Sequence, residues 1–170
     1  FAQGLYPQAV SAFEKAVETG AGANAHLLWA NLGDAYRWTP DNQQRAREAF
    51  LRAIQLLDPK LDATPEDLTL RTRRALYLAK RGDCEQARDR IDALKHASDN
   101  DAGAWYRLAV ANEVCSQREA ALVALERALQ AGYAITDVKA DPELLELRQD
   151  IRYHPLMQQQ SEGARSSHSP

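Results

Sequence analysis

Trp29-Ala-Asn-Leu32-Gly33-Asp-Ala-Tyr36, followed by Ala46, Ala49, Phe50, Ala53 and Asp58-Pro59, is the stretch whose reading decides the fold. Trp29, Leu32, Gly33 and Tyr36 recur at helical spacing, so their side chains share one helix face. A glycine among large residues leaves room for a second helix to approach. That helix is predicted over Arg45 to Leu57, where Ala46, Ala49, Phe50 and Ala53 alternate small residues with one aromatic knob. Asp58-Pro59 is expected to close it, and Lys60 to Pro65 to form a linker.

The unit recurs outward from this stretch. Upstream, Ala9, Phe13 and Ala16 match Ala46, Phe50 and Ala53, with Pro7 in the first turn where its missing N–H costs nothing. Downstream, Leu68 to Lys80 and Cys84 to His96 form a helix pair around Arg81-Gly82-Asp83. Thr64 is its expected N-cap, with Asp67 in a capping-box position. Gly103 to Cys115 and Glu119 to Gln130 form another pair, carrying Trp105, Leu108, Leu125 and Ala128, with Asp99 to Gly103 as a turn and N-cap. Ala9, Ala46, Ala87 and Ala121, which open successive second helices, lie 37, 41 and 34 residues apart.

The pattern W-x2-L-G-x2-Y, A-x3-F and P resembles the tetratricopeptide repeat (TPR) signature, whose period is roughly 34 residues. Thr39-Pro40-Asp41-Asn42 is one residue longer than the family's turn, and Arg71 and Arg74 stand where it has bulky apolar residues. The resemblance implies an all-α helix-turn-helix solenoid (an α-α superhelix) over 1–157. Its parts are a half repeat at 1–20, repeats at 24–59, 66–97 and 101–131, and capping helices at 133–157. A terminal repeat must cover its neighbour's open apolar face, and Ile135 to Lys139, Pro142 to Leu147 and Arg152 to Gln158 read as short helices that do so. The stretches Gly33 to Pro40 and Tyr133 to Tyr153 are similar to the C-terminal TPR regions of bacterial multidomain signalling proteins. Their parents carry a serine/threonine kinase, adenylate-cyclase or winged-helix domain. The chain opens at Phe1 inside a half repeat, so it reads as a piece of a longer protein. The stretch 158–170 is Ser/Gly/His-rich and reads as a disordered tail.

Composition narrows the function classes. The 170 residues are 45% hydrophobic and 26% charged, ordinary for a globular domain. With 21 basic and 24 acidic residues mixed throughout and a net charge of −3, no basic footprint for nucleic acid is present. Apolar runs fall far short of the roughly 18 residues of a membrane span, and no signal peptide is recognised. No phosphate loop or kinase catalytic motif occurs, so no enzyme activity and no cofactor are expected. His26, His96, His154 and His168 are too scattered for a metal pair, and Asp99-Asn100-Asp101 lacks the ligand alternation of a calcium loop.

What remains is a binding module. In such a stack the first helices line the concave side. Asn31, Asp34, Arg37 and Trp38 fall there, with Thr69, Arg73 and Lys80, and Tyr106, Arg107 and Glu113. Of these, Asn31, Asp34, Arg37, Trp38, Arg73, Tyr106 and Arg107 are the expected contacts of a protein or peptide partner, extended or acidic. Asn31 and Arg73 coincide with two residues of the family's carboxylate clamp, while Thr69 replaces its lysine. The alternative is a structural role, in which the open helix face of Leu5, Val10 and Val17 packs on a neighbouring domain or forms a homodimer. Cys84 and Cys115 begin and end helices that the resemblance makes antiparallel neighbours. Both a disulfide and two buried thiols stay open at this point. A bridge implies an oxidising compartment such as the periplasm, and free thiols a cytoplasmic one.

Overall fold

The computed structural model describes residues 6–19, 22, 24–94 and 100–158, and every regular element among them is helical. In chain order these are α1 (Tyr6–Thr19), α2 (Ala25–Arg37), α3 (Gln43–Ala63), α4 (Leu68–Arg81), α5 (Cys84–Asp92), α6 (Ala102–Val114), α7 (Arg118–Gln130) and α8 (Ile135–Ala140). Two 3-10 turns, Pro142–Leu144 and Leu147–Gln149, and a helical stretch at 153–158 complete the chain. The expectations for Leu5, His96 and the tail beyond residue 158 lie outside the described residues.

Packing is sequential. α1 lies on α2, α2 on α3, α3 on α4, α4 on both α5 and α6, and α6 on α7. Short turns force each pair antiparallel, and left-handed residues make the sharpest ones. Gly82, at φ 101°, ends α4 and lets the Asp83 amide donate back to the Leu78 carbonyl at 2.9 Å. The lengthened turn after α2 places Asp41 at φ 59°, a conformation short polar side chains tolerate.

Gly33 is where the deciding stretch acts. A Cβ built there would lie 2.9 Å from both Cε2 and Cζ of Phe50, whose side chain is fully buried. The two helices meet where only a hydrogen fits between them. Burial of a phenylalanine of this kind contributes about 1.5–3 kcal/mol. Tyr36, Trp105 and Leu125 are likewise buried. Trp29 is only half-buried, contrary to its expected core position. With Val10, Phe13 and Val17 of α1, a helix none of whose residues is buried, it lies against the cluster of Leu32, Tyr36, Ala46 and Ala49.

Three boundaries differ from expectation, one of them the end of α5, which stops at Asp92 with Ala93 as its C-cap, short of His96. Asp58-Pro59 does not end α3, which continues to Ala63 with Thr64 as its C-cap, so 60–63 are helix and not linker. Pro59 forfeits a bond to the Gln55 carbonyl. Beyond it Leu61 still packs on the core, and Asp58 accepts from Arg74 Nε at 2.7 Å. That contact also explains Arg74 at a nominally apolar position. The N-cap of α4 is Asp67, accepting from the Leu70 amide at 3.0 Å, and not Thr64. Asp101 caps α6 in the same way, at 2.7 Å from the Ala104 amide.

The cap is part of the core. Val138, Leu144 and Leu147 are fully buried and join the main cluster with Leu125 and Ala128.

Candidate functional site

By register, one face of α2, α4 and α6 carries the residues expected to receive a partner. The chain has already used half of that face. The 3-10 turn Pro142–Leu144 packs on α6 and directs Glu143 to α2. There Arg37, 106 residues away, holds Glu143 through two bonds, Nε to Oε1 at 3.1 Å and Nη2 to Oε2 at 2.9 Å. Lys80 Nζ lies 2.5 Å from Asp34 Oδ1 and 3.5 Å from Glu143 Oε1. Arg37 also donates to the Lys80 carbonyl at 3.1 Å. Four partly buried charged groups from α2, α4 and the cap thereby neutralise each other.

Their electrostatics follow from burial and proximity. Burial alone would push the Glu143 carboxyl up, but Lys80 and Arg37 outweigh it and hold it below the ordinary carboxylate value. For Lys80 the loss of solvent is outweighed by Asp34 and Glu143, so the ammonium stays charged. Burial raises Asp34 despite the adjacent Lys80. Tyr106 donates its hydroxyl to Asp141 Oδ2 and stacks on Tyr133 with ring centroids 4.0 Å apart. Burial, then Asp141, raises its phenol well above the ordinary value.

The expected partner contacts therefore divide. Arg37 and Tyr106 are committed to the chain's own cap, Asp34 is paired with Lys80 of α4, and Trp38 stacks on Tyr6 at 6.3 Å. Because Val138, Leu144 and Leu147 anchor the cap in the core, this occupancy is structural. Glu113, also on that face, is buried and bound by Arg118. Asn31 is exposed and Arg73 half-buried, and no ion pair is recorded for Arg73 among the described residues. Arg107 donates from Nε to the Thr72 hydroxyl at 2.8 Å. Burial, with Arg73 nearby, lowers its guanidinium against the pull of Asp101. Behind these cations His26 Nδ1 meets the Tyr77 hydroxyl at 3.3 Å, and burial followed by Arg73 and Lys60 lowers the imidazole. The open half of the face is thus cationic.

Tyr133, Asp137, Asp141 and Glu143 are the residues that sequence reasoning left out. The available signal was Asp-Pro-Glu itself, an acidic non-periodic segment in a chain whose inner face carries arginines. Cys84 and Cys115 are disulfide-bonded with Cα atoms 5.5 Å apart, fastening the start of α5 to the end of α6. Among the described residues no group of three or more His, Cys, Asp or Glu converges to hold a metal ion. No helix among them is long and apolar enough to cross a membrane. No protein-family model, curated protein or solved structure matches the chain.

Proposed function

We propose that the chain is a noncatalytic protein-interaction module of the TPR type, a solenoid of helix pairs closed by a helical cap. Its open inner face takes an acidic segment of a partner protein. The observation that carries this reading is the docking of Asp141-Pro142-Glu143 on the same face: a short acidic segment, not α-helical, held by Arg37, Lys80 and Tyr106. Arg73 and Arg107, next along that face, offer the same chemistry to a segment supplied in trans. The resemblance to bacterial signalling proteins makes the parent a multidomain regulator, with its kinase, cyclase or DNA-binding domain elsewhere. The Cys84–Cys115 disulfide supports an oxidising compartment, the periplasm, for this module.

The test is a titration of the isotope-labelled protein with a synthetic peptide bearing adjacent carboxylates, followed by NMR. Amide shifts are expected at Asn31, Arg73 and Arg107, and Arg73→Glu/Arg107→Glu should weaken binding about tenfold or more. Unchanged affinity in that variant refutes the assignment of the face. A self-associating role is favoured by α1, where Val10, Phe13 and Val17 remain partly exposed. Sedimentation of the wild type and of Phe13→Glu distinguishes it, since a dimer through α1 dissociates in the variant.

A further inference from the structure

Where the cap closes the inner face it leaves a cavity of about 350 Å³. This is at the small end of ligand pockets, which run from about 300 to 1,000 Å³, so the space suits a compact molecule. Three aromatic rings line it, Trp38, Tyr106 and Tyr133. None is loosely held: Tyr106 and Tyr133 are stacked within 10° of parallel, and Trp38 stacks on Tyr6. Both tyrosines keep neutral phenols, because burial, and then the carboxylates of Asp137 and Asp141, raises them above the ordinary value.

The remaining lining sets the sign of the charge. Asp34 and Glu143 share Lys80, and Glu143 also takes Arg37. Asp137 and Asp141 complete the carboxylates of the wall, and among the described residues neither has a recorded ion pair. The Asp141 carboxylate accepts from the Tyr106 hydroxyl and the Glu143 amide while its carbonyl takes Arg148 Nη2 at 2.6 Å, and the Asp137 carboxylate accepts from the Thr136 hydroxyl at 3.5 Å. With Arg37 and Arg148 reaching the wall from outside the lining, four carboxylates therefore face three cations. A π face attracts positive charge through its quadrupole, and a carboxylate surplus beside it adds to that field. The carboxylates do not converge as a metal site requires.

We propose that this cavity binds a compact organic cation of the quaternary-ammonium class. Trp38 and the outer face of the stacked Tyr106–Tyr133 pair receive it, and Asp137 and Asp141 supply the counter-charge. A quaternary ammonium needs no hydrogen-bond acceptors, which suits a site with aromatic walls whose Asp34 and Glu143 are already taken by Lys80 and Arg37. The inference does not depend on the acidic-segment reading, since Arg73 and Arg107 do not line the cavity.

Choline chloride is the probe, titrated into the intact chain against matched sodium chloride and followed by NMR. A saturable shift of the Trp38 indole N–H and of the Tyr133 and Asp137 amides is expected, with affinity in about the millimolar range. The Trp29 and Trp105 indoles, remote from the cavity, should stay still. Asp137→Asn changes an exposed side chain without touching the core, and should weaken binding about threefold to tenfold. Tyr133→Ala should do the same, while Tyr133→Phe keeps the ring and should bind like wild type. Shifts that merely track ionic strength overturn the proposal, as does unchanged affinity in both Asp137→Asn and Tyr133→Ala. A trimethyllysine amide that binds more tightly than choline assigns the cation to a modified side chain of a partner. Tighter binding of choline assigns it to a free small molecule.

Discussion

Replacing Gly33 by alanine adds one methyl group where α2 closely approaches α3. That Cβ would stand 2.9 Å from two ring carbons of Phe50 and 3.1 Å from a third. Comfortable carbon contacts are about 3.5–4.0 Å, so the neighbours must give by roughly 0.5–1 Å. Phe50 has nowhere to go, being fully buried with Tyr77 6.3 Å and the Lys80 ammonium 6.0 Å from its ring centre. Overpacking of this kind costs about 1–3 kcal/mol. Alanine's better helix propensity returns about 1 kcal/mol, so the net loss is about 0–2 kcal/mol. The corresponding place in the last pair holds Ala109, with the smaller Leu125 where Phe50 stands, and both are fully buried. Gly33→Ala in a Phe50→Leu background should therefore be neutral or stabilising by up to about 1 kcal/mol. Urea unfolding of the four proteins in this cycle, followed by circular dichroism, measures both numbers. Equal effects of Gly33→Ala in the two backgrounds would refute the close-approach argument.

The disulfide closes a loop of 31 residues, worth about 3–4 kcal/mol in the chain-entropy model, so reduction should lower the urea midpoint accordingly. Two free thiols on titration of the unreduced, denatured protein would remove the basis for this prediction and for the oxidising compartment. Glu143→Gln leaves Arg37 and Lys80 short of a buried counter-charge and should cost about 3 kcal/mol at neutral pH. Because the folded-state pKa of Glu143 is depressed, its contribution is fully present above the ordinary carboxylate range and is lost as pH falls through the lowered value. The gap between wild type and Glu143→Gln should accordingly shrink between pH 7 and about pH 3; a constant gap in urea melts at the two pH values contradicts the pairing.

Periodicity made the helices legible, because Trp29 to Tyr36 and Ala46 to Ala53 each encode a face that only a second helix can cover. It was blind wherever a contact had no period. Pro59 carried a stop signal, yet the energy that overrides it comes from Leu61 and the Asp58–Arg74 pair. Trp29 occupies a core register, yet it stays half-buried beside α1, a helix that buries none of its own residues. The inner face shows the limit most sharply. Register put Asp34, Arg37 and Tyr106 on one side of the stack, and they lie together there. Register says which residues share a face, and nothing of whether that face is vacant. Glu143 reaches Arg37 across 106 residues from a segment with no repeat pattern at all, so its address is written only in charge and shape. A groove read from a repeat is therefore provisional until the cap is placed. In this chain the cap leaves Arg73 and Arg107 open and turns Asp34, Arg37 and Tyr106 from candidate contacts into the wall of a closed half.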